Sequence, residues 1–162
     1  MTLRQTLPRI WLMTDPRFGD RLLAAVQALP YGSGIIFRNY EMPAAERRAL
    51  FKKVRYIARR RGHVLLLAGD EALARHWHAD GFHSRAAPAK QSRRLIRSAP
   101  AHNMAEIKEA IRLGADLLLL SPLCDTASHL GARPLGRLRF LQLAPRAGEL
   151  PVIALGGVTK RK

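Results

Sequence analysis

Short apolar runs alternate with longer amphipathic stretches along the chain. The apolar runs predict seven β-strands, at residues 9–14, 34–38, 63–67, 81–84, 95–98, 115–120 and 151–155. Between most of them the apolar positions recur with a helical period, at residues 20–29, 43–61, 71–78, 104–113 and 135–144. Residues 85–94 are polar and show neither pattern. Strands and helices in alternation are typical of an α/β protein.

Residues 65–67 and 117–120 are apolar at every position. Such runs are typical of strands buried on both faces, as in a parallel sheet covered by helices. The spacing suits a (β/α) barrel or a doubly wound sheet. The first strand-to-helix turn, residues 14–19, lacks a glycine fingerprint, which disfavours dinucleotide binding. We therefore predict one α/β domain over residues 1–162, with a TIM-barrel-like parallel sheet of about seven βα units.

The amino-acid composition indicates the cellular compartment of the protein. The hydrophobic fraction is 48%, which is ordinary for a globular protein, and no apolar run is long enough to span a membrane. The single cysteine, Cys124, excludes an internal disulfide framework and fits a reducing compartment. We expect a cytoplasmic protein without a membrane partner.

The formal net charge of +16 attracts phosphates of any kind. The densest basic segment is residues 47–61, within the predicted helix at residues 43–61. Its apolar stripe is Leu50, Val54 and Ile57, with Phe51 and Ala58 beside it. Its basic stripe is Arg48, Lys52, Arg55 and Arg59. The basic stripe is either a solvated helix face or a nucleic-acid surface. Charge alone supports the second interpretation, so nucleic acid is not the partner we expect.

Polar residues follow the predicted strands, where a barrel gathers its functional groups. Arg38 could bind a pyrophosphate or be one surface cation among many. Asp70 could hold a divalent cation or cap a helix. Gly156 and Gly157 could offer backbone N–H groups to an anion or form a tight turn. Thr126 and Ser128 place two hydroxyls on one loop, and the six histidines show no metal-ligand spacing.

The order of these motifs resembles the thiamine phosphate synthase and thiazole tautomerase family of TIM barrels. GADLLLLSPLCDTASHLGARPLG is similar to the family's sixth strand, its P-T-x-S/T-K loop and its P-L-G. LPVIALGGVT is similar to its glycine turn after strand seven. WLMTDP resembles its opening strand, and AHNMAEIKEAIRLGAD the segment before strand six. The resemblance covers nearly the whole chain.

The resemblance implies a reaction that joins a pyrimidine methyl pyrophosphate to a thiazole phosphate, with Mg²⁺ and release of pyrophosphate. It assigns catalytic roles to Arg38, from the family's Q-x-R-x-K strand, and to Asp70, as a Mg²⁺ ligand. It also implies a substrate-binding or phosphate-binding set, comprising Thr126, Ser128, His129, Gly156 and Gly157. In that set His129 stands where the family has a loop lysine.

The chain departs from the family pattern at several positions. Ile36 and Tyr40 replace the glutamine and lysine of Q-x-R-x-K, and Gly69 replaces the asparagine before Asp70. The second Mg²⁺-binding aspartate is missing near residues 83–86. Ser121 and Pro122 stand where the tautomerase branch has Gly-His. The thiazole-phosphate half of the site therefore matches the family better than the pyrophosphate half.

The family continues after the GGVT motif with a helix, an eighth strand and a final helix, so we expect the last unit to be absent here. A truncated sequence, a homo-oligomer that covers the open edge and a decayed barrel are the alternatives. We predict a thiamine phosphate synthase-like transferase of thiamine biosynthesis that binds phosphorylated small molecules, and we leave turnover open. The alternative is a non-catalytic protein that binds thiazole phosphate or nucleic acid.

Overall fold

The computed structural model of the protein describes residues 7–87, 95–124 and 134–156. They fold into two compact units, the first ending at His83 and the second beginning at Ser84. Within each unit the strands are parallel and follow one another in chain order. The single domain over residues 1–162 stays a prediction.

The first unit contains four strands and three α-helices. Its elements are β1 (Trp11–Met13), a 3₁₀ helix (Pro16–Arg21), α1 (Leu22–Ala28), β2 (Gly34–Phe37), α2 (Ala44–Arg60), β3 (Val64–Ala68), α3 (Glu71–His76) and β4 (Gly81–His83). The predicted helix at residues 20–29 is wrong at its start. Pro16 and the Asp15 cap begin a 3₁₀ helix there, and Gly19, with a φ of 48°, interrupts it before α1 begins.

The second unit contains three strands and two α-helices. Its elements are β5 (Ile96–Ala101), α4 (Met104–Arg112), β6 (Leu117–Leu120), α5 (Gly136–Leu143), a 3₁₀ helix (Ala144–Ala147) and β7 (Val152–Ala154). Strands thus lie at all seven predicted positions. β5 runs three residues beyond the predicted end at residue 98. The prediction ends too early because Ala99, Pro100 and Ala101 are not typical strand residues. In the structure these residues pair with β6, and Ala99 and Ala101 pack against α4.

The first unit has its core between β2, β3 and α2. β2 is buried at all four positions, and β3 at four of five, as expected for strands covered on both faces. α2 buries Val54 of the predicted stripe together with Phe51 and Ala58, which were predicted beside it. The Phe51 ring packs between Phe37 and Trp77, with ring centres 5.4 and 5.1 Å apart. The predicted members Leu50 and Ile57 are half-buried.

The second unit has a smaller core between β5, β6 and α4. Alternate strand residues face the helices, and the buried cluster is Ala99, Ala101, Ile107, Ala110, Leu118, Leu120 and Ala147. The intervening residues Leu117 and Leu119 are buried as well. β6 is therefore covered on both faces, as its unbroken leucine run predicts. None of the helices in the described parts of the chain has the length and apolar character to cross a membrane.

The amino ends of β1 and β2 are joined by a close contact. Trp11 pairs with Gly34 across the two strands. A Cβ atom on Gly34 would lie 2.2 Å from the Trp11 ring, so only glycine lets the indole lie flat on the neighbouring strand. The indole N–H also donates a hydrogen bond to the Pro8 carbonyl at 2.7 Å.

Candidate functional site

The carboxyl ends of β1 and β2 are joined by a buried side-chain network. The Thr14 hydroxyl donates to Asn39 Oδ1 at 2.6 Å and accepts from the Arg38 backbone N–H at 2.8 Å. Asn39 adopts a left-handed conformation, with a φ of 44°, which asparagine tolerates better than most residues. These bonds fix the backbone from which the Arg38 side chain leaves the sheet. The guanidinium of Arg38 lies 3.5 Å from Met13 Sδ and 5.8 Å from the Tyr40 ring centre.

A charged cluster lies beside this network. Asp15 forms an ion pair with Arg17, whose Nε lies 2.6 Å from Asp15 Oδ1. The side-chain hydrogen bond from Arg17 is the main reason that the pKa of Asp15 falls to about 2, and the nearby charge of Arg38 contributes to the fall. The Asp15 carboxylate is therefore ionised at neutral pH. Positive charge exceeds negative charge in this cluster of three side chains.

A buried arginine, Arg47, ties β2 to β3. Its Nε donates to the Arg38 carbonyl at 2.8 Å, and its Nη2 donates to the Ala68 carbonyl at 2.9 Å. The guanidinium carbon lies 5.3 Å from the ring centres of both Tyr40 and Trp77. Burial lowers the pKa of Arg47, which remains a cation at neutral pH because arginine ionises so far above this range. Arg47 thus holds the carboxyl ends of two strands, next to the predicted site residues Arg38 and Asp70.

Asp70 follows β3 and serves as the N-cap of α3. Its Oδ1 accepts a hydrogen bond from the Leu73 backbone N–H at 2.7 Å. Of the two interpretations that the sequence allows, the structure shows the cap. In the described parts of the chain, no group of three or more His, Cys, Asp or Glu residues is placed to hold a metal ion. The observed role of Asp70 in this structure is therefore that of a helix cap.

In the second unit, the loop after β6 pairs with the segment after β7. The backbone N–H of Leu123 donates to the Leu155 carbonyl at 2.8 Å, and that of Cys124 donates to the Gly156 carbonyl at 3.1 Å. Gly156 has a φ of 93°, and a Cβ atom on it would lie 3.1 Å from Pro122 Cα. Glycine is thus required at this turn by both conformation and space. Residues 123–124, which precede the predicted phosphate-binding loop, thus lie beside residues 155–156.

A second polar cluster lies at the carboxyl end of β5. Glu106 accepts from the His102 backbone N–H at 2.9 Å and lies 2.8 Å from His102 Nδ1. Arg85 Nη1 lies 3.1 Å from the other carboxylate oxygen. Partial burial opposes ionisation of Glu106, but hydrogen bonds from His102 and Arg85 outweigh it and lower the pKa. Asn103 caps α4 by accepting from the Glu106 N–H at 3.0 Å, and the Glu106 carboxylate bonds the His102 N–H, one residue before the cap.

Four predicted site residues lie outside the described residues, namely Thr126, Ser128, His129 and Gly157. The site residues predicted from the sequence do not include Arg47 or Arg17. The signal for Arg47 was its spacing, since Arg47 precedes Phe51 by four positions and Val54 by seven, on one face of α2. Arg17 stands two residues after the Asp15 cap, where a short side-chain contact is easily formed.

These features define an α/β protein with parallel strands and with polar residues gathered at the strands' carboxyl ends. A model of the family described as thiamine monophosphate synthase matches residues 10–162. The chain therefore belongs to this family, and the resemblance seen in its motifs is confirmed.

Two curated relatives illustrate the match. The chain is 31% identical to a putative thiamine-phosphate synthase 2 of Aquifex aeolicus, over 96% of this chain and 88% of that protein. It is 30% identical to a thiamine-phosphate synthase of Bacillus velezensis, over 70% of this chain and 54% of that protein. The alignment thus spans most of the first relative and about half of the second.

A solved structure defines the fold. Thiamine phosphate pyrophosphorylase from Pyrococcus furiosus matches with a TM-score of 0.75 and 23% identity, over 94% of this chain and 76% of that chain. The fold is therefore TIM-barrel-like α/β, as the sequence predicts.

Proposed function

We propose that the chain is a thiamine phosphate synthase, which joins hydroxymethylpyrimidine pyrophosphate to thiazole phosphate and releases pyrophosphate. The observation that supports the proposal most strongly is the family match over residues 10–162. In this reaction the bond between the pyrimidine methylene carbon and the pyrophosphate oxygen breaks, and pyrophosphate leaves with the electron pair. The thiazole nitrogen then donates its lone pair to the methylene carbon, and no oxidant or reductant is needed.

Such a reaction depends on stabilising the leaving pyrophosphate, which needs preorganised positive charge. In the proposal, Arg38 supplies this charge at the end of β2. Its backbone is fixed by Thr14, and its carbonyl is fixed by Arg47. An arginine whose backbone does not move as charge develops stabilises that charge without reorganisation. Asp15 would offset the cation only in part, because Arg17 already neutralises it.

The thiazole phosphate is proposed to bind in the second unit, to Gly156, Gly157, Thr126, Ser128 and His129. The proximity of the residue 122–124 segment to residues 155–156 supports this assignment. A side chain at residue 156 would move the Pro122 backbone, so the turn depends on its glycine. The proposal places the two substrate groups on different strand ends, as the family resemblance implies.

Magnesium is expected from the family resemblance, which assigns Asp70 as its ligand. The structure shows the Asp70 carboxylate as the cap of α3, and in the described parts of the chain no group of three or more His, Cys, Asp or Glu residues is placed to hold a metal ion. Turnover measured over a range of Mg²⁺ concentrations, with a chelator as the zero point, tests whether the reaction needs it.

A second candidate function is the binding of thiazole phosphate without turnover. The departures from the family pattern in the pyrophosphate half of the site favour this function. Asp70 acts as a helix cap there, and Ile36 and Tyr40 stand in place of the family's glutamine and lysine. A location in the cytoplasm and a homo-oligomer stay predictions under either function.

Calorimetric titration of thiazole phosphate tests the ligand that both candidates share. Wild-type protein should bind it, and Gly156→Asp should abolish binding because it adds bulk against Pro122 and negative charge beside the phosphate. Gly148→Asp is the matched control, since Gly148 is also a glycine at positive φ, 62°, with nothing within 4 Å of its added Cβ atom. Absence of binding to folded wild-type protein would contradict both candidates.

A further inference from the structure

The helix α2 and its C-cap Arg61 carry a dense positive charge. Residues 47–61 contain eight lysines and arginines and no aspartate or glutamate, and the next carboxylate in the chain is Asp70. Arg59 and Arg60 are exposed, and Arg61 is half-buried at the end of the helix. Charge alone fits a solvated helix face as well as a ligand surface. A second observation is needed to choose between them.

Two exposed tyrosines supply that observation. Tyr56 is 64% exposed, and Arg60 lies over its ring with the guanidinium carbon 5.8 Å from the ring centre. Tyr31 is 74% exposed, and Arg61 lies 4.1 Å from its ring centre. Each tyrosine therefore presents a large aromatic surface to solvent beside a guanidinium.

The backbone holds these groups together. The Gly32 N–H donates to the Arg61 carbonyl at 3.1 Å, and Arg61 Nη2 donates to the Leu29 carbonyl at 2.8 Å. The loop that carries Tyr31 is thereby fixed against the end of α2. We call Tyr31, Tyr56, Arg59, Arg60 and Arg61 the tyrosine–arginine surface.

This surface lies at the amino ends of the strands of the first unit. The Val64 N–H, at the start of β3, bonds to the Ser33 carbonyl just before β2, and the end of α2 lies beside this point. Arg38 and Asp70 follow the opposite ends of the same two strands. The tyrosine–arginine surface is therefore separate from the site proposed for the reaction.

We propose that the tyrosine–arginine surface binds single-stranded nucleic acid without sequence preference. Arginines and exposed aromatic rings are the combination that such ligands use, because phosphates pair with guanidinium groups and bases stack on ring faces. A guanidinium behind the ring adds to this stacking through its positive charge. An anionic membrane would be attracted by the same charge but would not require the flat faces of two tyrosines.

Fluorescence anisotropy with a labelled oligouridine of about 20 nucleotides tests the proposal, because a site of this kind covers roughly 4–16 nucleotides. At low salt the wild-type protein should bind, with an affinity that falls steeply as salt rises. Replacing both tyrosines (Tyr31→Leu with Tyr56→Leu) should weaken binding at least about tenfold, because base stacking is lost. The pair Tyr31→Phe with Tyr56→Phe keeps both rings and should bind like wild type.

The charge control uses arginines on another helix. Arg59→Gln with Arg60→Gln removes two positive charges from the surface, and Arg137→Gln with Arg139→Gln removes two exposed charges from α5. The first pair should weaken binding far more than the second. Circular dichroism and thermal melting of each variant separate a lost ligand contact from a lost fold.

Three results would overturn the proposal: no binding of oligouridine at low salt, unchanged affinity in the folded leucine pair, or an equal loss from the α5 pair. Phosphatidylserine vesicles serve as the second probe, and binding to vesicles without binding to oligouridine would also overturn it. Synthase turnover is measured separately on the same variants. Because the surface and the reaction site are at opposite strand ends, either proposal can fail while the other stands.

Discussion

Arg47 and Arg60 belong to the same helix but lie in opposite surroundings. Arg47, near the start of α2, is buried and donates to two strand carbonyls. Arg60, at the end of α2, is exposed and lies over the Tyr56 ring. The carboxyl ends of the first unit's strands are thus held by buried hydrogen bonds, whereas their amino ends present cations and aromatic rings to solvent.

The difference between Arg47 and Arg60 shows that the surroundings of an arginine decide what its positive charge does. A buried guanidinium loses hydration, and the loss is offset where backbone carbonyls and aromatic faces surround it. An exposed guanidinium keeps its hydration and remains available to a ligand. The same residue type therefore stabilises the fold at one end of α2 and forms a candidate binding surface at the other.

The largest expected effect is at Arg47. Arg47→Met should lower the free energy of unfolding by about 3 kcal/mol, because two carbonyls at the strand ends lose their donors. Arg48→Met is the matched control, since Arg48 is the exposed neighbour and its loss should change stability by less than about 0.5 kcal/mol. Urea unfolding measures both. If both substitutions lowered the free energy of unfolding equally, the buried Arg47 would not stabilise the fold more than the exposed Arg48.

The next effect is at the amino ends of β1 and β2. Gly34→Ala should cost about 2 kcal/mol, because its methyl group would overlap the Trp11 ring. In the background of Trp11→Leu, the same Gly34→Ala should cost clearly less, since the overlapping ring is gone. Urea unfolding of the two single variants and the double variant gives this coupling. Strictly additive costs would show that the Trp11 contact is not the constraint.

A smaller effect is expected within the carboxyl-end network. Thr14→Val keeps the side-chain shape but removes the hydroxyl that serves Asn39 and the Arg38 N–H. We expect a loss of about 1.5 kcal/mol, because buried polar partners are left unsatisfied. Thr14→Ser retains the hydroxyl and should retain most of the bonding. If the Thr14→Val variant melts at the same temperature as the wild-type protein, the hydrogen-bond network does not hold the strand ends.

The smallest effect concerns Asp15. The pKa of Asp15 in the folded protein, about 2, lies below its ordinary value of 3.8. The ion pair of Asp15 with Arg17 therefore stabilises the fold at pH values above 3.8. This contribution is lost as pH falls from about 4 to about 2. NMR titration of the Asp15 carboxyl should show the low pKa in wild type and a higher one in Arg17→Met. An unchanged pKa in the variant would exclude Arg17 as the cause.

The sequence was sufficient to predict the strand and helix order because buried strands such as β6 have unbroken apolar runs, which only a covered sheet accommodates. Arg47 was not predicted, because its burial depends on carbonyls from β2 and β3 that are distant in sequence. The choice between cap and metal ligand at Asp70 also needed the positions of neighbouring groups, which spacing alone does not provide.

Pyrophosphate release by the purified chain, supplied with both proposed substrates, is the decisive assay of the proposed synthase activity. We expect release that requires both substrates and matches the thiamine phosphate formed. Arg38→Gln should slow it roughly 10²–10³-fold, as expected for a group that stabilises developing charge, while Arg9→Gln, at an exposed arginine before β1, should leave it unchanged. Folded wild-type protein that releases no pyrophosphate above background would contradict the claim.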